Sequence, residues 1–516
     1  MKLSIICYLS DDKKLNQTTV EALEKMASYS LEHDNHVTVA GKHVDKKYNN
    51  GKKDSVTASY EVEVVLNTDR VQDDRSWYEN IITRIGNHAF TSKVDKETYA
   101  SEQDAHQKMA EKASGDYIMI IHAGDDISSN LAEVFVKGNV QCYDMDTYMI
   151  TKAFHDETFG AFRNYKKVTD GEDIKSFYII DLKSKYDCFP FGFGGVIIRA
   201  EAFKKQSVDP ALGLEAERDF MLRLMAKSMK TCFLPYAILT AYEYEEHDNI
   251  FYRGLYMREW YFESITDFWM PFLQEMKVTY GSIPVFIQYN FMYSVMARFN
   301  GNMDNKNKHV IEEGHGEEYL ELIGQALRLI EENIMLNRNK VVDCITGDTM
   351  KWVYGILRNG KDYKFERFFL AGKIYYGIGD TLFNSLMSLS TNILFINYRD
   401  GMLEIDGTVH PILYSMVDEV YFRYNNKKYK IQYTERYGLT KAFGAAICKR
   451  HSFHLSIPVK DKSESELFCE AAIGNQLEPI NIRYPSHFSR VCNAFGSSHW
   501  VFGDNREYMM TAERKG

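Results

Sequence analysis

GDYIMIIHAGDD, from Gly115 to Asp126, is the stretch on which the fold of this chain turns. Tyr117 to His122 is an apolar run of strand length, closed at once by Ala123-Gly124-Asp125-Asp126, so it reads as a strand followed by a tight acidic turn. Similar runs recur on both sides of it: LSIICYL (Leu3 to Leu9), HVTVAG (His36 to Gly41), YEVEVVLN (Tyr60 to Asn67), TYMITKAF (Thr147 to Phe154), GGVIIR (Gly194 to Arg199) and KTCFLP (Lys230 to Pro235). Between them, Thr18 to Ser28, Ser76 to Ile85, Glu102 to Ala113 and Glu215 to Lys227 carry apolar residues at helical spacing. Strands alternating with helices predict an α/β domain with a mainly parallel sheet over residues 1–250.

The texture then changes twice. Arg253 to Met276, Ile283 to Phe299, Glu317 to Asn337 and Lys340 to Arg358 are long, Met- and aromatic-rich helical segments, which predicts a helical domain over 251–388. From about Thr391 the apolar period becomes two, in NILFINYRDGMLEIDGTV, DEVYFRYNNKKYKIQYTE, HSFHLSIPV, ELFCEAAI and PINIRYP. Arg399-Asp400-Gly401 and Asn425-Asn426-Lys427-Lys428 sit where hairpin turns belong, so 389–516 is expected to be a β-sandwich domain. The basic stretch Arg423 to Arg450 admits two readings, a surface for an anionic acceptor or membrane and a solvated sheet face.

A chain of 516 residues is long enough for several cores. Its 45% hydrophobic and 26% charged residues are those of a globular protein, which excludes a disordered or fibrous one. A net charge of -10 excludes a general nucleic-acid binder, because neutralising phosphates needs a basic face. The eight cysteines are scattered singly, without CxxC, and read as reduced thiols of a cytoplasmic protein. MKLSIICYLSDD is a first strand rather than a signal peptide, and no stretch reaches the roughly 18–20 apolar residues that span a bilayer. Any membrane role is expected to be peripheral, at the inner face.

A parallel α/β domain binds ligands past the carboxyl ends of its strands. Ser10 follows the first strand, Asp69 the run ending at Asn67, His122, Asp125 and Asp126 form the acidic turn, and His247 lies in EEHDN after the last strand. Each also has a plainer reading: a turn former, the opening of a helix after Ser128, or a solvated side chain.

Order and context join these positions. VVLNTDR, SWYENIITRI, QDAHQKMAEKASGDY and IMIIHAGDD, between Tyr60 and Asp126, resemble in sequence order and spacing the nucleotide-binding half of family 2 glycosyltransferases with the GT-A fold. FGFGGVIIRAEAF (Phe191 to Phe203) resembles the acceptor-side strand of that family, and LEAERDFMLRLM (Leu214 to Met225) its catalytic helix. The resemblance implies a nucleotide-diphosphate donor, UDP-linked, with Asp69, Ser10, His122 and Asp126 around it. It also implies a divalent metal, Mn or Mg, held by Asp125 and His247 and bridging to the diphosphate. The family's metal motif is Asp-x-Asp-Asp, whereas His122-Ala123-Gly124-Asp125-Asp126 stands here. The family's catalytic base is a carboxylate at the start of the helix after the acceptor strand. Glu215, Glu217 and Asp219 are the candidates, with Glu217 first by helical phase and Asp219 second.

Residues beyond 250 are similar, more loosely, to extensions of bacterial transferases that build cell-surface polysaccharides. The expected partners are a sugar-nucleotide donor and a glycan or lipid-linked acceptor, with a homo-oligomer formed through the C-terminal domain. The competing expectation is a carbohydrate-binding or scaffold protein on the same core, with catalysis lost.

Overall fold

In the computed structural model, the described residues are 1–40, 55–71, 75–88, 90–142, 145–154, 157–158, 177–184, 190–241, 254, 256–303, 310–311, 314–336, 347–379, 381–459, 465–483, 499–502 and 508–509. The chain divides into two compact units, Met1–Arg298 and a second from Phe299 onward.

Six strands of the first unit run one way: β1 (Lys2–Tyr8), β4 (Glu61–Asn67), β5 (Phe90–Asp95), β6 (Tyr117–His122), β8 (Thr147–Phe154) and β12 (Lys230–Ala241). Four run against them: β7 (Asp125–Ile127), β9 (Glu157–Thr158), β10 (Tyr178–Asp181) and β11 (Val196–Arg199). The order is β10-β12-β8-β11-β6-β1-β4-β5, with β7 on β12 and β9 on β8, so the sheet is mixed, with β11 inserted antiparallel between β6 and β8. HVTVAG departs from the expected parallel sheet. It forms β2 (His36–Ala40), which among the described residues pairs with β3 (Ser55–Ser59) alone in a separate two-stranded antiparallel sheet, and its alternation of exposed and buried residues suits a strand with one wet face.

Helices α1 (Lys13–Glu32), α2 (Arg75–His88), α3 (Glu102–Lys112), α4 (Leu131–Gln141), α5 (Ala200–Lys204) and α6 (Ala216–Ser228) complete the α/β part. One core joins Ile5 and Cys7 of β1, Val64 and Leu66 of β4 and Met119 and Ile121 of β6 to Leu23 and Met26 of α1 and Phe135 of α4, all buried. Burial on both sides explains why β1, β4 and β6 read as nearly unbroken apolar runs. Among the described residues, Cys7, Cys142, Cys232, Cys448 and Cys469 are free and buried.

The Gly-Asp-Tyr preceding β6 is a joint. A Cβ on Gly115 would lie 2.7 Å from the Ser4 nitrogen and 2.8 Å from the Tyr117 oxygen, both backbone atoms, so only glycine fits where the chain crosses β1. Gly115 N–H donates to Ser4 Oγ at 2.9 Å, and Asp116 Oδ2 accepts Lys2 N–H at 2.8 Å. Buried Glu63 accepts from Ser4 Oγ at 2.5 Å, from Ser114 N–H and Oγ at 2.8 Å each, and from Lys93. Burial pushes the Glu63 carboxyl upward, but Lys93, Ser4 and Ser114 outweigh it and hold it at about 2.

In the second unit the helices Gly316–Leu327, Glu332–Leu336 and Asp348–Asn359 precede a three-stranded antiparallel sheet of β13 (Glu366–Leu370), β14 (Lys373–Ile378) and β15 (Thr381–Ser385). A larger sheet follows, made of β16 (Ser390–Arg399), β17 (Met402–Val409), β18 (Glu419–Tyr424), β19 (Lys427–Lys430), β20 (Gln432–Ala442), β21 (Ala445–Pro458), β22 (Ser465–Ile473), β23 (Gln476–Arg483), β24 (His499–Phe502) and β25 (Tyr508–Met509). Its order is β19-β18-β22-β23-β16-β17-β21-β20, with β24 on β22 and β25 on β24. Phe422 of β18 and Phe453 of β21 touch at 5.6 Å although four strands separate them in that order, so the sheet folds over onto one core. The two predicted hairpins are two-residue turns: Asp400-Gly401 (φ 54 and 79) between β16 and β17, and Asn425-Asn426 (φ 45 and 61) between β18 and β19. In the basic stretch, Arg423 and Lys428 lie 3.4 and 3.9 Å from Glu470, and Lys430 pairs with Glu419.

Candidate active site

In the first unit the order reverses about β1, which has β4 on one side and β6 on the other. Such a switch point leaves a crevice past the carboxyl ends of the strands. Ser10, Asn67 to Asp69 and His122 all stand at that end.

On the β1–β4 side Asn67, Asp69, Arg70 and Tyr8 gather past the strand ends. Asn67 Oδ1 accepts Asp69 N–H at 3.0 Å and its amide donates to Glu97 O at 2.9 Å, which fixes the turn after β4. Asp69 accepts from Thr98 Oγ1 at 2.7 Å. The Arg70 guanidinium lies over the Tyr8 ring at 4.8 Å, and Tyr99 meets Tyr8 edge-on at 6.5 Å. Ser10 is half-buried in the loop before α1; its N–H donates to Asn16 Oδ1 at 3.0 Å and its Oγ accepts Asp12 N–H at 3.1 Å.

On the β6 side three carboxylates surround two imidazoles. His122 Nε2 is 3.2 Å from Glu217 Oε1 and 4.0 Å from Glu102 Oε1, and its Nδ1 is 3.6 Å from Asp125 Oδ2. His106, wholly buried one helical turn after Glu102 on α3, has Nδ1 3.4 Å from Glu217 Oε1 and Nε2 3.9 Å from Glu102 Oε1. Both His106 nitrogens lack a hydrogen bond among the described residues. Glu217, on the first turn of α6, accepts Phe193 N–H on Oε2 at 3.0 Å. Gly192 allows that approach, since a Cβ there would lie 2.6 Å from the same oxygen. Burial disfavours the Glu217 carboxylate, yet the charge of His122, its hydrogen bond and the nearby His106 ring hold it well below the usual carboxylate range. Burial likewise disfavours the His122 imidazolium, but Glu217 and Asp125 hold its pKa well above the ordinary histidine value.

Of the other sequence-derived candidates, Asp125 borders this group, whereas Asp126, Asp219 and Glu215 are engaged elsewhere. Asp125 is buried behind His122, and its Oδ2 accepts the His122 backbone N–H at 2.8 Å. Asp126, next along β7, takes the opposite face, where burial raises its carboxyl and Lys25 of α1 lowers it. Asp219 lies two residues from Glu217, about 200° around the helix. It accepts Arg223 Nε at 2.8 Å, and Arg223 also grips Glu275. Burial raises the Asp219 carboxyl even against Arg223. Glu215 is buried with Ser264 at 2.6 Å and Arg218 at 2.9 Å. His247 lies outside the described residues.

Glu102, His106 and His122 place ligand atoms within 4.8 Å of one another, close enough to hold a metal ion. The donor chemistry fits Mn among the expected ions better than Mg, which takes an oxygen shell.

No family model matches this chain, and neither does any curated protein. Solved structures similar to it include S. aureus TarS, with a TM-score of 0.42 and 9% identity over 99% of this chain and 85% of that one. TarS 1-349 in complex with UDP-GlcNAc gives 0.45 and 11% over 75% and 99%. Mannosyltransferase PcManGT from Pyrobaculum calidifontis, in complex with GDP-Man and Mn2+, gives 0.30 and 11% over 70% and 76%.

Sequence reasoning passed over Glu102, His106, Arg70 and Tyr8. Glu102 and His106 carry a signal, an i, i+4 carboxylate–imidazole pair on one helix face. Only the fold brings that face under His122.

Proposed function

We propose that the first unit is an inverting GT-A glycosyltransferase that moves a sugar from a nucleotide-diphosphate donor, UDP-linked, to a hydroxyl of a glycan or lipid-linked acceptor of cell-surface polysaccharide. What supports this most is the division of the switch-point crevice. Tyr8, Arg70 and Asp69 suit a nucleoside on one side of β1, and the His106–His122–Glu102–Glu217 group suits a diphosphate and acceptor on the other.

Asp69 would receive a ribose or base donor, and Arg70 would cover the base. Glu217 would take the proton of the attacking acceptor hydroxyl. It meets the first requirement of a base, being a carboxylate at neutral pH, fixed by the Phe193 N–H so that Oε1 faces the histidines. Its lowered pKa weakens its pull on a proton, so positioning would have to carry more of the rate. Asp219, the second candidate, is engaged by Arg223. A divalent ion held by Glu102, His106 and His122 would neutralise charge building on the departing diphosphate.

Donor hydrolysis and transfer with UDP-, GDP- and CDP-sugars in the presence of Mn2+, with Glu217→Gln beside Asp219→Asn, test the reading. UDP-sugar turnover that falls at least ~100-fold in Glu217→Gln and little in Asp219→Asn is expected. Turnover unchanged in both would refute the assignment, and binding without turnover would favour the scaffold reading that His122, in place of the family's acid, keeps open.

A further inference from the structure

His122 stands where the resemblance implies an acidic residue, and the side chains around it are arranged unlike a hard-ion site. Glu102 Oε1 lies at nearly equal distance, 3.9 and 4.0 Å, from the Nε2 atoms of His106 and His122. His106 Nδ1 faces Glu217 Oε1 at 3.4 Å and His122 Nδ1 faces Asp125 at 3.6 Å, while His122 Nε2 also meets Glu217 Oε1 at 3.2 Å, a hydrogen bond that a cation on Nε2 would replace. Carboxylate behind histidine is the arrangement that fixes the tautomer of a metal-binding imidazole and raises its basicity. The His106 side chain is 0% exposed, and neither nitrogen makes a hydrogen bond among the described residues. A buried polar group left so costs roughly 1–3 kcal/mol, and a ligand on Nε2 removes that cost. His122 keeps a third of its side chain exposed.

We propose that Glu102 Oε1, His106 Nε2 and His122 Nε2 form a two-histidine, one-carboxylate site for a first-row transition cation, zinc, cobalt or manganese class, with Glu217 and Asp125 orienting the two rings from behind. Metal–ligand distances of about 2.0–2.2 Å put neighbouring ligand atoms roughly 3.3 Å apart in a tetrahedral set. The observed 3.9 and 4.0 Å therefore need to close by roughly 0.6 Å through movement of Glu102, and the two imidazoles, whose ligand atoms lie within 4.8 Å, draw together as the ion binds. Two imidazoles disfavour Mg2+ and Ca2+, which take oxygen ligands, and favour ions that accept nitrogen. Three ligands leave positions for water or for diphosphate oxygens. The assignment rests on atom positions and stands whether or not the chain transfers sugars.

The test uses the full chain, stripped with chelator, dialysed and titrated with Co2+, Zn2+, Mn2+ and Mg2+. Bound metal is read by elemental analysis, Co2+ by its visible ligand-field absorption, and stability by thermal shift. One equivalent of Co2+ or Zn2+ is expected, with Mg2+ at least ~100-fold weaker. His106→Ala and Glu102→Gln should each lose at least ~10-fold in affinity, and Glu111→Gln, exposed on the same helix, should lose none. Glu102 is partly exposed, so its variant reports even if His106→Ala does not fold. No bound Co2+ or Zn2+, Mg2+ bound as tightly as Zn2+, or unchanged affinity in Glu102→Gln would each overturn the site. Cation binding without donor turnover would sustain it and sink the transferase reading.

Discussion

Replacing Glu63 by Gln tests what the joint at Gly115-Asp116-Tyr117 does. Glu63 is wholly buried between β1, β4, β5 and the turn before β6, with its carboxyl held at about 2 against an ordinary 4.5. A difference of 2.5 units at about 1.36 kcal/mol per unit gives about 3 kcal/mol of stability at pH 7. Part of it comes through Lys93, 52% exposed and screened by salt, so the working figure is about 2–3 kcal/mol. Because the folded pKa is depressed, the contribution is present above 4.5 and is lost as pH falls through about 2. The assay is urea unfolding from pH 7 to pH 3, with hydrogen exchange in peptides from β1 and β6. Wild type should exceed Glu63→Gln by about 2–3 kcal/mol at pH 7 and by about half that near pH 3. A gap that stays constant across this range would refute the charged-carboxylate explanation and leave only packing.

Three further outcomes are expected. In ion-free protein, the Glu217–His122 pair contributes stability from above the ordinary carboxylate value of 4.5, because Glu217 is depressed. It loses that contribution as pH rises through the raised pKa of His122, above 6.5, so Glu217→Gln should flatten the stability profile across neutrality, measured by urea midpoints. Gly192→Ala should displace Glu217 from the Phe193 N–H, lowering transfer by about 10–100-fold, with the folded far-ultraviolet spectrum unchanged. Arg70→Ala should weaken nucleotide binding by roughly 1 kcal/mol, about fivefold by calorimetry, while leaving the metal titration unaltered.

Much of the first unit is legible in the sequence because its strands are buried on both faces. β1, β4, β6, β8 and β12 show as apolar runs, and the hairpins at Asp400-Gly401 and Asn425-Asn426 show through their turn residues. β5, FTSKVD, is a sheet-edge strand with polar positions and leaves little periodicity to read. The mixed character of the sheet is hidden for a different reason: GGVIIR marks a strand but carries no sign of its direction. At the site, helical phase singles out Glu217 over Asp219, and the structure puts Glu217 beside His122 and Asp219 beside Arg223. In the sequence His106 shows only its i, i+4 relation to Glu102, and its place beside Glu217 and His122 is set by the packing of α3 in the fold.

The two ends of β6 have a bearing on how this molecule can be altered. Gly115, Ser4 and Glu63 secure the entry to the strand, and the chemistry-bearing groups begin at its exit, roughly 17 Å away at about 3.3 Å per residue. A scaffold divided in this way tolerates exchange of its working tip without renegotiating its foundations. Randomising His122 together with Glu102 and His106, with the entry left untouched, should yield folded proteins with different ion preferences, a route by which one framework diversifies its chemistry.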